Sequence, residues 1–135
     1  MAIPNGAGGY QLGDGNLVQA LFEAQTIPTT LTGDTTLTGD QMALGLVVCQ
    51  KASDATLTVT TASGSDLDSS IPSAKVGSAF DLTITNNNNS GASSTVPVTA
   101  GTGITVYGSV TVPRFGAYTY RVVKTGTGTW SAFLR

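Results

Sequence analysis

At 135 residues the chain is long enough to form one domain with a real core, without disulfides or a structural metal. Only 10% of its residues are charged against 40% hydrophobic, and six basic against eight acidic side chains leave a net charge of −2; an average soluble domain is roughly 25% charged. That balance supplies no basic patch to release counterions from a phosphate backbone, so nucleic acid is not an expected partner. No run approaches the roughly 20 apolar residues of a membrane span, and the absence of histidine removes the ordinary catalytic triad and the common zinc sites.

The first 16 residues, "MAIPNGAGGYQLGDGN", are glycine-rich and show no alternation, which predicts an extended arm. Ile3, Pro4, Tyr10 and Leu12 stud it as spaced apolar anchors for a partner, where a free tail would carry charge. "NLVQALFEA" (16–24) reads either as a short helix, with Asn16 as N-cap and Leu17, Val18, Leu21 and Phe22 on one face, or as a continuation of the arm. Leu31-Thr32-Gly33-Asp34 recurs as Leu37-Thr38-Gly39-Asp40, a six-residue echo that hints at a β-solenoid, although two copies are too few for one. Its two aspartates fall short of the six to eight oxygens that calcium takes, so strand and turn are expected here.

From residue 43 strands follow one another. "ALGLVVCQ" is a near-continuous apolar run that fits a central strand, with Cys49 as a small buried side chain. "ATLTVTT" and "AFDLTIT" alternate cleanly, placing Leu57 with Val59 and Phe80 with Leu82 and Ile84. The polar stretch between them, with Asp66 and Asp68, reads as a solvated loop. Asn86 to Asn89, followed by serine and glycine, suit a solvent-facing hairpin tip. In "GITVYGSVTVP" Ile104, Val106, Val110 and Val112 share a face, and Gly108 in register marks a bend. "AYTYRVVKT" and "TWSAFLR" flank a glycine turn and read as a hairpin, with Tyr118, Tyr120 and Val122 on one face and Trp130, Ala132 and Leu134 on its partner's.

These elements predict an all-β fold, an antiparallel β-sandwich or jelly-roll-like barrel over residues 43–135, preceded over 1–42 by an extended N-terminal arm with a possible short helix. Threonine at the polar strand positions holds a β-surface with little charge. Edges without lysine invite pairing, so self-association is the expected way of covering them. No nucleophile–base pair, cofactor motif or metal set emerges, and an enzyme is not expected. Arg114 in "PRFG", with Phe115 beside it, is a candidate exposed contact between two strands. "MAIPNGAGG" lacks the charged start and apolar core of a secretion signal, which predicts a protein made in the cytosol.

The segments "IPNGAGGYQLGDGN", "SSIPSAKVGSAFDLTITN" and "VTAGTGITVYGSVTVPRFGAYTYRVVKTGTGTW" together resemble the capsid decoration, or cement, proteins of tailed bacteriophages. The resemblance spans almost the whole chain. It implies a β-rich protein on the outer capsid surface of the virion, assembled in the host cytoplasm. Such proteins bind the major capsid protein, commonly as homotrimers at three-fold axes, and lock neighbouring capsomers together. No cofactor or catalytic residue comes with it. The closing segment is also similar to β-modules of tail fibres, which keeps a glycan-recognising adhesin as the alternative. An exposed patch among Tyr107, Phe115, Tyr118 and Trp130 favours that second reading.

Overall fold

The computed structural model describes residues 25–51, 56–87 and 94–135. In chain order these form β1 (Thr29–Leu31), β2 (Thr35–Thr36), α1 (Gly39–Ala43), β3 (Leu46–Cys49), β4 (Val59–Thr60), α2 (Gly64–Ser70), β5 (Ala79–Asn86), β6 (Val96–Thr99), β7 (Ile104–Tyr107), β8 (Thr111–Val112), β9 (Ala117–Gly126) and β10 (Thr129–Leu134). A six-stranded sheet has the order β1-β3-β5-β9-β10-β7, and a four-stranded sheet the order β2-β4-β6-β8.

The expected all-β antiparallel sandwich or jelly-roll-like barrel is corrected by this topology. The chain alternates between the sheets: β1, β3 and β5 lie side by side and parallel in the larger one, while β2, β4 and β6 do the same in the smaller. Antiparallel pairing enters with β8, β9 and β10, and β7 is again parallel to β10. With two short helices added, the fold is mixed α/β. Period-two alternation reports which side chains face inward and is silent on which strand lies alongside. Polar connections that look like hairpin turns are here arches crossing from one sheet to the other. The sheets also take in chain from before residue 43, since β1, β2 and the start of α1 fall within the stretch expected to be an arm.

One core joins the layers. Val47, Cys49, Leu82, Ile84, Tyr120, Val122 and Trp130 from the larger sheet pack with Val59, Val96, Val98 and Val112 from the smaller. β5 and β9 turn alternate side chains inward, while β10 buries Trp130, Ser131 and Ala132 in succession. β3 is an internal strand, as its apolar run predicts, and Leu57 and Val59 are both buried. The hairpin of β9 and β10 forms where expected, with Tyr120, Val122, Trp130 and Ala132 inside.

The continuous strand expected over "GITVYGSVTVP" is interrupted. Gly108, at φ +108°, ends β7 in one sheet before β8 begins in the other, and Val110 is left exposed. The six-residue echo also divides. Asp34 accepts the Thr58 backbone N–H at 2.8 Å in a turn after β1. The second copy instead starts α1, where Thr38 and Gln41 form a reciprocal capping box. The solvated loop expected around Asp66 and Asp68 is α2, capped by Ser63 and anchored in the core by Leu67.

Candidate interaction surfaces

Among the described residues, the carboxylates of Asp34, Asp66, Asp68 and Asp81 are engaged in holding the fold. Ser63 Oγ donates to Asp66 at 2.7 Å and accepts from its backbone N–H, so Asp66 completes the start of α2. Asp68 reaches the β9–β10 hairpin. It accepts from the Gly128 N–H at 2.7 Å and from Trp130 Nε1 at 2.9 Å, and pairs with Lys124 Nζ at 2.9 Å. The Lys124 ammonium, then the Gly128 N–H, hold the Asp68 carboxyl below its ordinary pKa. Arg121, with Arg135 alongside, does the same for Asp81.

A carboxyl whose pKa is lowered on folding contributes stability above its unfolded value of about 3.9, and loses it as pH falls through the lowered folded value. Urea unfolding of the protein is therefore expected to show stability declining below about pH 4. Asp68→Asn should remove part of that decline, and an unchanged acid limb in that variant contradicts the assignment.

The thiol of Cys49 is fully buried, and burial pushes its pKa up to about 11, which makes it inert. The described residues contain no cluster of three or more histidine, cysteine, aspartate or glutamate side chains. An internal space of about 10 Å³, lined by Met42, Leu82, Ile84, Tyr120 and other core residues, is too small for a ligand.

Contact surfaces are better developed. Two of the sequence-nominated residues, Arg114 and Phe115, come together in the turn between β8 and β9. The Gly116 N–H donates to the Pro113 carbonyl at 2.9 Å and closes the turn. Phe115, in its third position, adopts φ +56°, the only positive φ of a non-glycine residue among those described. Such a turn wants glycine there, and an L-residue in the left-handed region costs roughly 1–2 kcal/mol. Phe115 is nevertheless 61% exposed, and its ring carries the Arg114 guanidinium at 4.8 Å.

Asn86 anchors this turn. It ends β5 with no exposed surface, and its Nδ2 faces the carbonyls of Ser94, Val112 and Pro113 at 2.8, 3.3 and 3.2 Å. Its backbone N–H donates to the Gly116 carbonyl. The first of the four asparagines is thus an internal clamp, where a hairpin tip was expected; residues 88–93 lie outside the described chain. Ile3, Pro4, Tyr10, Leu12 and the possible helix over 16–24 also lie outside it.

A second surface occupies the solvent face of the larger sheet. Register places Asp81, Arg121, Phe133 and Tyr107 in one row across β5, β9, β10 and β7. Tyr107 and Phe133 stack at 5.0 Å with an interplanar angle of 6°, and stay 52% and 42% exposed. Arg121 and Arg135 both pair with Asp81 beside them. Phe133 escapes sequence reasoning because its partnership with Tyr107 depends on a parallel pairing between distant strands. Trp130 is 1% exposed, so it is a core residue and no part of a surface platform. Comparison with known proteins finds no matching family model, curated protein or solved structure.

Proposed function

We propose that this chain decorates the outer surface of a bacteriophage capsid, binding the major capsid protein as a homotrimer at three-fold axes and stabilising the assembled shell. The observation that carries this reading is a division of labour in the molecule. Among the described residues, the Asp34, Asp66, Asp68 and Asp81 carboxylates bond to neighbouring groups of the fold and the Cys49 thiol is buried, while large apolar side chains, Tyr107, Phe115 and Phe133, stand in solvent on a protein with very few charges. Exposed aromatic side chains with arginine beside them are the composition of contact surfaces. The resemblance of the sequence to capsid decoration proteins supplies the partner.

The mechanism is mass action. A protein that binds the shell and not its dissociated subunits stabilises the shell by RT ln(1 + [L]/Kd) per site. Attachment through three copies at once converts modest single contacts into lasting retention.

The test mixes purified protein with shells assembled without it. Light scattering behind a sizing column is expected to give the mass of a trimer. Sedimented shells are expected to carry the protein at saturable stoichiometry and to dissociate at higher temperature. A monomer that leaves the shells bare and their melting unchanged overturns the proposal.

The stacked Tyr107–Phe133 pair favours one other reading, an adhesin module for a host glycan, since sugars lie against exposed aromatic rings. Glycan binding that Tyr107→Ala abolishes, together with no shell binding, would select it.

A further inference from the structure

We infer that the Arg114–Phe115 turn is the knob through which the protein grips its shell. Phe115 enters an apolar pocket on the capsid subunit, and Arg114 meets a carboxylate at that pocket's rim. The inference rests on the shell-decorating reading above. It starts from a conflict between local preference and sequence. The turn asks for glycine at position 115 and carries phenylalanine, in a left-handed conformation that bulky side chains rarely adopt. Glycine stands one place later, at 116, where a Cβ would come within 2.7 Å of the Pro113 ring. Packing of the domain does not explain the choice, because most of the Phe115 side chain lies outside it.

Backbone strain held at an exposed residue needs a benefit elsewhere. The surrounding structure is built to hold this shape. Asn86, buried beneath, clamps the carbonyls of Val112 and Pro113, and the Gly116 N–H closes the turn. A rigid turn presents its side chains without losing much freedom on binding, which favours affinity. Aromatic side chains and arginine are the residue types that dominate binding energy when seated in a pocket. The Arg114 cation over the Phe115 ring makes the pair a single amphipathic body, apolar with a positive cap. The matching site is therefore concave and apolar with a negative group at its edge.

Phe115→Asn is the decisive variant, because asparagine tolerates the left-handed region and keeps the turn. Three quantities would be measured on the wild type, Phe115→Asn and Arg114→Gln: melting temperature from Trp130 fluorescence, native mass, and retention on shells assembled without the protein. Phe115→Asn is expected to melt at the wild-type temperature or up to about 4 °C above it. It should keep its native mass and bind shells at least about 10-fold more weakly. Arg114→Gln should weaken binding less and reduce its sensitivity to salt.

Each other result overturns the inference in a recognisable way. Wild-type retention by Phe115→Asn removes the knob and leaves the shell-decorating function standing. A melting temperature lowered by several degrees makes Phe115 a packing residue. Loss of native mass makes the turn a contact between copies of this chain. A wild-type protein that does not bind shells removes both readings together.

Discussion

Asn86→Asp is expected to be the most damaging isosteric change in the domain at neutral pH, and to become less damaging as the solution is acidified. The substitution preserves shape and replaces the Nδ2 donor by a carboxylate oxygen. That oxygen would face the carbonyls of Ser94, Val112 and Pro113, all within 3.3 Å of the present nitrogen, in a site with no solvent exposure. The variant loses the three contacts of Nδ2 and buries a negative charge against the negative ends of dipoles. A loss of roughly 4 kcal/mol or more is expected, a large part of the 5–15 kcal/mol that usually holds a domain together.

Both desolvation and the carbonyl dipoles raise the folded-state pKa of such a carboxyl above its unfolded value of about 3.9. The folded state then binds more protons than the unfolded one between those two values, so stability rises as pH falls across that window. The wild type behaves in the opposite sense near its acid limit, because the carboxyls of Asp68 and Asp81 have lowered values. Urea unfolding at several pH values between 7 and 4.5 should therefore bring Asn86→Asp closer to wild type as the pH drops. Asn86→Ala, which leaves carbonyls unsatisfied without adding charge, should be destabilised by about 3 kcal/mol at every pH in this range. Parallel pH profiles for the two variants would show that the Asn86 side chain does not sit among acceptors.

The clamp also shows where sequence reading stops. Asn86 follows a clean alternation in β5 and falls on the same face as Leu82 and Ile84, which is enough to place it inward. The run of asparagines after it suggests a loop, and the composition of the run masks the register of its first member. Arg114 and Phe115 are legible as an exposed pair from "PRFG", but the positive φ at Phe115 is not, because the glycine signal points to the neighbouring position. β5, β9 and β10 are legible because their alternation is long. Strand direction in β1 to β6 is not, since arches and hairpins use the same polar residues. The helices contribute one buried side chain each, Met42 and Leu67, too few to mark a helical period, and only their caps announce them. "TGDQ" fits the capping-box pattern at Thr38 and Gln41, and is the signal that identifies α1.

Trp130→Ala is expected to cost about 4 kcal/mol, in the range for removing a fully buried large aromatic, and to free the β9–β10 hairpin from α2 before the domain unfolds. Three kinds of contact converge on this one side chain. Its ring meets Phe80 edge-on at 6.0 Å, Lys124 Nζ lies 5.7 Å from its centroid, and its Nε1 donates to Asp68. Asp68 in turn holds the Gly128 N–H at the hairpin tip. Burial and polar bonding are thus carried by the same residue, and two variants separate them. Trp130→Phe keeps most of the apolar volume and drops only the Nε1 donor, so its loss should be clearly smaller than that of Trp130→Ala. Asp68→Asn keeps an oxygen for Trp130 but removes the counter-charge of Lys124. If the cluster acts as a unit, the double variant Trp130→Phe with Asp68→Asn will lose less than the sum of the two single losses, because Trp130 Nε1 and Lys124 Nζ meet the same Asp68 oxygen and each change weakens a contact the other depends on. Hydrogen exchange should report the order of events: in Trp130→Ala the amides of residues 126–130 lose protection while those of Leu82 and Ile84 keep theirs. Uniform loss across both regions would mean that the hairpin is an inseparable part of the core, with α2 and Asp68 adding nothing local.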